Sequence, residues 1–331
     1  MRILIVGLGS IGRRHLVNIR TLRPHDELSV WRQHGQRPVS EEITAAADHI
    51  VHTLKDALYT KPQAAIVANP ATLHVETGIA LGTARVPLFI EKPISDSVQS
   101  ARVLVDACRQ NNVPLTIGYN LRWYKPLQLL RQAYLEGLIG DGLVFRAQAC
   151  RHLADWRPES DYRQSVSARS ELGGGVLLEL SHEIDYARWI MGEIQTVIAQ
   201  VVRVGGLEID VEDTATLLVS FSGGAVGTIH LNMVERPAVR GCRIVGTLGS
   251  LEWDAESHEV RHFSNAQGTW TRLYAGSGKD YSEAYLSEIE QFLGAVEGSQ
   301  SAMVTGEDAL RTLQVVAAAK KSASDGCKVT L

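Results

Sequence analysis

Two patterns of apolar residues alternate along the first third of the chain. Short, mostly apolar runs typical of strands buried in a parallel sheet fall at residues 1–6, 27–31, 64–68, 87–90 and 115–119. Segments with apolar residues at helical spacing lie between them, at residues 11–22, 73–81 and 96–111. Strands that alternate with helices in this way predict a doubly wound, parallel α/β sheet.

The pattern changes beyond residue 120. A strand is predicted at residues 143–150, and between residues 195 and 274 apolar and polar residues alternate in short runs separated by turn signals such as Ser222-Gly223-Gly224, which predicts a mostly antiparallel open sheet. Helical spacing returns at about 125–136, 176–189, 283–296 and 306–322. We therefore expect an α/β domain over residues 1–120 and an α+β domain over residues 121–331, whose C-terminal helix can pack back on the first domain.

The composition is that of a globular protein without a charged macromolecular partner. The 33 basic and 37 acidic side chains give a net charge of -4, so neither nucleic acid nor an anionic membrane is expected as a partner. No apolar run approaches membrane-span length, and the first strand leads into a folded motif rather than a signal peptide, so a cytoplasmic location is expected. Four scattered cysteines form no C-x-x-C pair and are interpreted as ordinary thiols: Cys108, Cys150, Cys242 and Cys327.

The first strand runs directly into a turn with the G-x-G-x-x-G spacing of dinucleotide-binding sites. Gly7 permits the tight turn, Gly9 lets a pyrophosphate approach the backbone, and Gly12 lets the following helix pack close to the strand. The N–H groups of the helix N-terminus, at Ser10 and Ile11, then point at the phosphates. This turn is therefore the candidate cofactor site of a Rossmann domain.

Which dinucleotide binds depends on the residue 20 positions past Gly12. NAD-preferring sites usually have a carboxylate there, whereas this chain has Arg32. A guanidinium can pair with the 2′-phosphate of NADP and stack on adenine. Arg32 therefore favours NADP over NAD, unless it is an ordinary solvated surface arginine.

The loop after strand 64–68 lies at the carboxyl end of a buried strand, where ligands bind in doubly wound sheets. Its candidates for cofactor contacts are Asn69, Pro70, Thr72 and His74. Asn69 or Thr72 could instead cap the next helix.

Strand 87–90 ends in Glu91-Lys92-Pro93. A charged pair at the end of a buried strand is costly unless it serves a site. The residue before a proline is biased to an extended conformation, and a cis bond there would aim Lys92 into the ligand crevice. Glu91 and Lys92 are therefore candidate cofactor-site residues.

Four motifs follow one another along the chain: the glycine turn, residues 69–74, Glu91-Lys92-Pro93 and residues 118–122. Together they resemble the glucose–fructose oxidoreductase, inositol dehydrogenase and rhizopine-catabolism (Gfo/Idh/MocA) family, over essentially the whole chain. The resemblance implies an NAD(P)-dependent oxidoreductase that acts on a sugar, polyol or nucleotide sugar. It also implies that Lys92 lies in the active site.

A triple glycine at residues 173–175 introduces a helical segment with acid–base residues. His182 and Asp185 share a helix face, and Glu179 lies three residues before the histidine. Because imidazole titrates near neutral pH, His182 can exchange a proton with a sugar hydroxyl when a carboxylate orients it. The alternative is a histidine packed in the core.

Gfo/Idh/MocA dehydrogenases commonly have an aspartate four residues before this histidine, where this chain has Leu178. The nearest acid is Glu179, and the glycine-rich lead-in is one residue shorter. These features resemble a branch of the family linked to surface-polysaccharide and nonulosonic-acid sugars, in which the run from Trp156 through residues 161–163 to the triple glycine recurs.

The polar loop at residues 151–163 is rich in groups that stack on or pair with hydroxylated and phosphorylated ligands. Trp156 and Arg157 are candidate cofactor ligands and Arg163 a candidate substrate ligand, although a surface lid without ligand contacts is the alternative. Candidates also follow strand 115–119: Tyr119 and Arg122 for the substrate, and Asn120 for the cofactor.

Residues 258–262 match the H-E-x-x-H motif of zinc proteases. That chemistry requires His258 and His262 on one face of a helix. The neighbouring Trp253 and Phe263 and the turn at 265–268 predict an exposed strand instead. We therefore predict no metal site.

These residues predict reversible hydride transfer between C4 of a nicotinamide and a carbinol carbon of a sugar-like substrate. Lys92 polarises the substrate oxygen, and His182, oriented by Asp185 or Glu179, exchanges the proton; both also contact the substrate. The alternatives are a redox-neutral, glycosidase-like enzyme that uses NAD transiently and a non-catalytic NADP-sensing protein. One face of the antiparallel sheet is expected to pair subunits in a homodimer or homotetramer.

Overall fold

The computed structural model describes residues 1–32 and 41–331, with the backbone alone at residues 41, 42 and 44. The chain divides into two compact units. The first comprises Met1–Asn120 and Glu283–Leu310, and the second comprises Leu121–Ser282 and Arg311–Leu331. Residues 283–310 therefore cluster with the first unit, although the sequence pattern places them in the second domain.

A six-stranded parallel sheet forms the first unit. Its strands are β1 (Arg2–Val6), β2 (Glu27–Trp31), β3 (His49–Val51), β4 (Ala64–Val67), β5 (Leu88–Glu91) and β6 (Leu115–Gly118). Its connecting helices are α1 (Ser10–Leu22), α2 (Glu41–Ala46), α3 (Leu54–Tyr59), α4 (Ala71–Thr83) and α5 (Val98–Gln110). The strand order β3-β2-β1-β4-β5-β6 reverses between β1 and β4, and ligands bind outside the carboxyl ends of strands at such a point.

Apolar side chains from sheet and helices form one core in this unit. Ile5 and Phe89 of the sheet pack with Leu16 of α1 and with Ile289 and Phe292 of a later helix, α9 (Lys279–Val296), and each is at most 1% exposed. Burying an aliphatic or aromatic side chain of this size contributes about 1.5–3 kcal/mol. This burial explains why most of this helix, residues 283–296, belongs to the first unit.

The second unit contains a nine-stranded sheet. Its helices are α6 (Lys125–Leu135), α7 (Val176–Glu179), α8 (His182–Met191) and part of α10 (Gly306–Asp325). Its strands are β7 (Gly142–Cys150), β8 (Ile194–Val202), β9 (Thr214–Phe221), β10 (Val226–Asn232), β11 (Val239–Gly246), β12 (Gly249–Asp254), β13 (Glu259–Ser264), β14 (Thr269–Ala275) and β15 (Val329–Thr330). The order is β14-β13-β12-β11-β7-β10-β9-β8-β15, and neighbours are antiparallel except β7 and β10.

One face of this sheet is buried and the other is open. In β9, Ala215, Leu217 and Val219 are buried, whereas Leu218 between them is 54% exposed. Helices α6 and α8 contact the sheet at β12 and β7, respectively. The alternation read from the sequence thus separates a helix-covered face from an open one.

Residues 258–262 lie on an edge hairpin of the second unit. Strand β13 begins at Glu259, and His258 lies in the turn before it with φ 56°. The prediction of a strand is confirmed, and the two histidines do not share a helix face. None of the helices in the described part of the chain combines the length and apolar character that spanning a membrane requires.

Candidate active site

The glycine turn between β1 and α1 has the geometry that its spacing predicts. A Cβ on Gly12 would lie 2.2 Å from the Gly7 carbonyl oxygen, and one on Gly7, whose φ is 91°, would lie 2.9 Å from the Ala68 oxygen. Glycine at these positions therefore lets α1 pack close to the strands. A Cβ on Gly9 would meet no atom within 4 Å, so the turn is open where a pyrophosphate must approach. Ser10 is exposed and Ile11 half-buried at the helix N-terminus.

Two predicted cofactor ligands carry buried amide atoms without a hydrogen-bond partner in the described part of the chain. Asn69 follows β4, where its Nδ2 donates to Thr77 Oγ1 at 3.0 Å while its Oδ1 is buried and unpartnered. Asn120 follows β6, is 1% exposed and has an unpartnered Nδ2. A buried polar atom left in this way costs about 1–3 kcal/mol, which a bound ligand can offset. The two amides and the open Gly9 fit a dinucleotide.

The loop after β4 is held by a buried histidine. His74 Nδ1 lies 2.9 Å from the Pro93 carbonyl oxygen and Nε2 lies 2.8 Å from that of Asn69. Burial lowers the pKa of His74, because desolvation disfavours the imidazolium, although both carbonyl groups act in the opposite direction. Pro70 is the N-cap of α4 and makes no side-chain cap, and the half-buried Thr72 lies inside the helix. Capping by Asn69 or Thr72 is therefore not observed.

The Glu91-Lys92-Pro93 turn ends β5, and its Lys92–Pro93 bond is cis. Glu91 is 7% exposed; its Oε1 lies 2.6 Å from His15 Nε2, and its Oε2 accepts the Lys92 backbone N–H at 3.2 Å. The Lys92 side chain is half-buried. A buried carboxylate thus holds the backbone of the residue that carries the candidate amino group.

Arg32 directly follows β2. Its backbone N–H donates to Val51, and its carbonyl oxygen accepts from His52 Nδ1, both at 3.0 Å. The residue is 9% exposed, which does not fit the alternative of a solvated surface arginine.

In the second unit, the predicted acid–base residues lie on two short helices. The sequence predicts one helical segment over residues 176–189, but α7 ends at Glu179 and α8 begins at His182. The helical i-3 spacing assumed for Glu179 is therefore wrong. His182 is 7% exposed in the first turn of α8, and Glu179 is half-buried. A Cβ on Gly174 would lie 2.3 Å from the Val166 carbonyl oxygen, so the glycines let the preceding loop pack against this segment.

Asp185 is paired with a buried arginine. Arg122 donates from Nε and Nη2 to Asp185 Oδ2 and Oδ1 at 2.9 and 2.7 Å, with the two residues 4% and 1% exposed. Thr312 Oγ1 donates to the same Oδ1 at 3.3 Å and accepts from Arg188 Nη1 at 2.6 Å. Two residues predicted to serve separately, Arg122 on the substrate and Asp185 on His182, thus form one bidentate ion pair. Tyr119, a candidate substrate ligand in the first unit, is 1% exposed.

Polar side chains of the loop at residues 151–163 form hydrogen bonds and ion pairs with other residues of the second unit. Trp156 Nε1 donates to the Arg151 carbonyl oxygen at 3.0 Å, and Arg157 is exposed. Arg163 is bound by Asp161 at 2.8 Å and by Glu208 at 3.4 Å. It lines an open cavity of about 550 Å³ whose other cationic side chains are Arg169 and Arg203.

The sequence does not reveal a buried cluster behind the Glu91-Lys92-Pro93 turn. His15 of α1, Glu91 and Glu288 of α9 place one ligand-capable atom each within 4.8 Å of one another. His15 lies on the buried face of α1 beside Leu16, which is the one local signal. No local sequence pattern links Glu288 to His15 and Glu91, because both lie far from it in the sequence.

Sequence comparison assigns both parts of the chain to one family. Residues 1–119 match the oxidoreductase family with an NAD-binding Rossmann fold, and residues 127–252 match the GFO/IDH/MocA C-terminal domain. The chain belongs to the Gfo/Idh/MocA oxidoreductase family. The predicted α/β Rossmann domain with a mostly antiparallel α+β domain is confirmed, as is the prediction of a nicotinamide-dependent dehydrogenase or reductase.

Members of the Gfo/Idh/MocA family align over the whole chain. Myo-inositol 2-dehydrogenase of Thermotoga maritima is 28% identical over 354 residues, which cover 100% of this chain and 98% of that protein. Levoglucosan dehydrogenase in complex with NADH and levoglucosan has a TM-score of 0.88 at 20% identity, covering 100% and 99% of the two chains. The WlbA dehydrogenase from Bordetella pertussis in complex with NADH and UDP-GlcNAcA has a TM-score of 0.84 at 21% identity, covering 100% and 97%.

Proposed function

We propose that this protein transfers hydride reversibly between a nicotinamide dinucleotide and a carbinol carbon of a sugar, polyol or nucleotide sugar. The cofactor part of the proposal rests on the glycine turn. A Cβ on Gly9 would meet no atom within 4 Å, whereas a Cβ on Gly7 or Gly12 would lie 2.9 or 2.2 Å from a backbone oxygen. Relatives named for inositol and levoglucosan, and one crystallised with UDP-GlcNAcA, support a carbohydrate substrate. Leu178 stands where the family commonly has an aspartate, a departure that resembles the branch linked to surface-polysaccharide sugars. Nucleotide sugars of surface polysaccharides are therefore candidate substrates as well.

The nicotinamide, when bound, supplies the hydride acceptor or donor. Lys92 polarises the substrate oxygen from a turn whose backbone Glu91 holds. His182 takes up or returns the hydroxyl proton, directly or through water. The Arg122–Asp185 pair anchors the first turn of the helix that carries His182, and Glu179 is the second candidate for its orientation.

The test is a screen of free sugars, polyols and nucleotide sugars for formation of NADH or NADPH. Lys92→Ala and His182→Ala should lose turnover, and His182→Ala should still bind cofactor. Lys55→Ala and His25→Ala, at exposed positions of the first unit, are the matched controls. The proposed site is wrong if both site variants turn over every substrate as the wild type does. Turnover of glycosides without net NADH formation would favour the redox-neutral alternative.

We also propose that Arg32 favours NADP, because a guanidinium can pair with the 2′-phosphate. The related structures described above contain NADH, so the measurement needed is the affinity of each cofactor.

We propose further that subunits pair through the open face of the second unit's sheet. Ile198 and Leu218 are opposite each other on β8 and β9 and are 48% and 54% exposed; Val226 on β10 is 52% exposed. Apolar side chains grouped in this way mark association surfaces. Leu218→Asp should convert an oligomer into monomers in light scattering after gel filtration, and a monomeric wild type would exclude the proposal.

A further inference from the structure

Three titratable side chains meet inside the first unit, directly behind the Glu91-Lys92-Pro93 turn. His15, Glu91 and Glu288 are 0%, 7% and 0% exposed, and one nitrogen or oxygen atom of each lies within 4.8 Å of the other two. They come from α1, from the end of β5 and from α9. The cluster is therefore almost entirely buried, and its member Glu91 directly precedes the candidate catalytic lysine.

Glu288 is the unusual member of this cluster. Both of its carboxyl oxygens are buried, and neither has a hydrogen-bond partner in the part of the chain that the structure describes. Burying an ionised carboxylate without a partner costs far more free energy than burying a neutral carboxylic acid, because the charge loses its hydration. Glu288 must therefore carry a proton or bind a cation.

The distance between His15 and Glu91 decides between these two possibilities. His15 Nε2 and Glu91 Oε1 are 2.6 Å apart, which is a hydrogen-bond distance. Two atoms that each ligate one zinc ion at about 2.0–2.2 Å in a tetrahedral site stand about 3.3 Å apart. His15 and Glu288 are 0% exposed and Glu91 is 7% exposed, so a cation has little access to the cluster. The geometry favours a proton.

We propose that Glu288 is a neutral, proton-bearing carboxylic acid whose O–H donates to Glu91, and that it is thereby a positioning residue for Lys92. Glu91 already accepts from His15 and from the Lys92 backbone N–H, and a carboxylate has about four acceptor positions, so it can take a third donor. One carboxyl oxygen of Glu288 lies within 4.8 Å of one of Glu91, so the proposed hydrogen bond requires the two groups to move closer than they stand here.

The surrounding charges agree with this assignment. Burial raises the pKa of Glu288 well above its usual value, the charge of Glu91 raises it further, and Arg14 on α1 opposes both. The Arg14 guanidinium is itself drawn to the Tyr285 ring, 4.5 Å away, on the same helix as Glu288. With Glu288 neutral, Glu91 is the anion of the cluster, and a second negative charge would push it away from the Lys92 backbone.

Infrared spectroscopy tests the protonation state without any need for activity. At neutral pH, the difference spectrum of wild type minus Glu288→Gln should contain the carbonyl stretch of a protonated carboxylic acid, shifted in D₂O. Absence of this band, or one equivalent of bound metal in the wild-type protein by elemental analysis, would overturn the assignment. Glu288→Gln is neutral and nearly isosteric, so the cluster keeps a hydrogen-bond donor.

The positioning role rests on the proposed function, and kinetics test it separately. Glu288→Leu is also neutral but cannot donate, so kcat should fall about tenfold, with cofactor affinity unchanged, while Glu288→Gln stays close to the wild type. Equal kcat in wild type and Glu288→Leu would exclude positioning. If the wild type turns over none of the screened substrates, the proposed function fails, and the infrared band still decides the state of Glu288.

Discussion

The ion pair between Arg122 and Asp185 predicts that Asp185→Asn strongly destabilises the second unit. The two side chains are 5% and 1% exposed and joined by two hydrogen bonds, at 2.9 and 2.7 Å. Asparagine keeps the shape of aspartate but removes its charge. The guanidinium of Arg122 then loses the negative charge of Asp185 and faces an amide that can accept only on one side.

The expected magnitude follows from this burial. Removing one partner of a buried ion pair costs about 3–5 kcal/mol, because the other charge loses the attraction that offset its desolvation. The Trp189 ring, whose centroid lies 5.9 Å from the guanidinium carbon, contacts Arg122 in the wild type too and so does not offset this loss. We therefore expect a loss of about 3–5 kcal/mol, a large part of the usual total of about 5–15 kcal/mol.

Urea denaturation measures this loss when the unfolding of the second unit is monitored. The denaturation midpoint should fall, whereas the dependence of the unfolding free energy on urea concentration should stay the same. Asp155→Asn is the matched control, since Asp155 and Arg236 form the same bidentate geometry at 2.6 and 2.8 Å but are 41% and 55% exposed. Solvent screens that pair, so its loss should move the midpoint far less.

The double variant Arg122→Met, Asp185→Leu removes both charges and should recover most of the stability, because neither charge then has to be desolvated. Two results would refute the reasoning. One is an unchanged midpoint for Asp185→Asn. The other is a double variant no more stable than Asp185→Asn, which would mean that the cost does not come from the stranded charge.

Other substitutions separate the roles of neighbouring residues. Gly9→Ala should weaken cofactor binding in a fluorescence titration without lowering the melting temperature, since its Cβ meets no protein atom within 4 Å. Gly12→Ala should lower stability by about 1–3 kcal/mol, because its Cβ would lie 2.2 Å from the Gly7 oxygen; equal melting temperatures would contradict this difference. Arg32→Asp should shift the ratio of affinities from NADP toward NAD, and an unchanged ratio would remove Arg32 from cofactor selection. Because burial lowers the pKa of His74 from its usual 6.5, the unfolded chain takes up the proton first, and stability present above pH 6.5 is lost as the pH falls through the folded pKa. His74→Gln should flatten that part of the urea-midpoint profile. The raised pKa of Glu288 acts in the opposite direction. The contribution of this residue to the free energy of unfolding is complete below its usual pKa of 4.5 and is lost as the pH rises. Glu288→Gln should therefore gain stability relative to the wild type as the pH rises above 4.5.

The elements with a long or strongly apolar pattern could be predicted from the sequence. Strands β1, β4 and β5 are continuous apolar runs, and the β9 alternation separates inner from outer residues without any tertiary information. The pattern fails for β3, α2 and α3, which are three to six residues long and too short to show a period. It also joins α7 and α8, because the apolar spacing continues across the break at Leu180 and Ser181.

The sequence by itself determined the glycine turn, the Glu91-Lys92-Pro93 turn and the presence of His182 after a triple glycine, because each depends on residues close together in the chain. Only the tertiary structure decided which charged groups are partners. Arg122 and Asp185 are 63 residues apart, and His15 and Glu91 are 76 apart. Periodicity describes which side of an element is buried, whereas an ion pair or a shared proton depends on how two distant elements pack. For this reason the sequence did not predict that Asp185 pairs with Arg122 or that Glu288 lies beside His15 and Glu91.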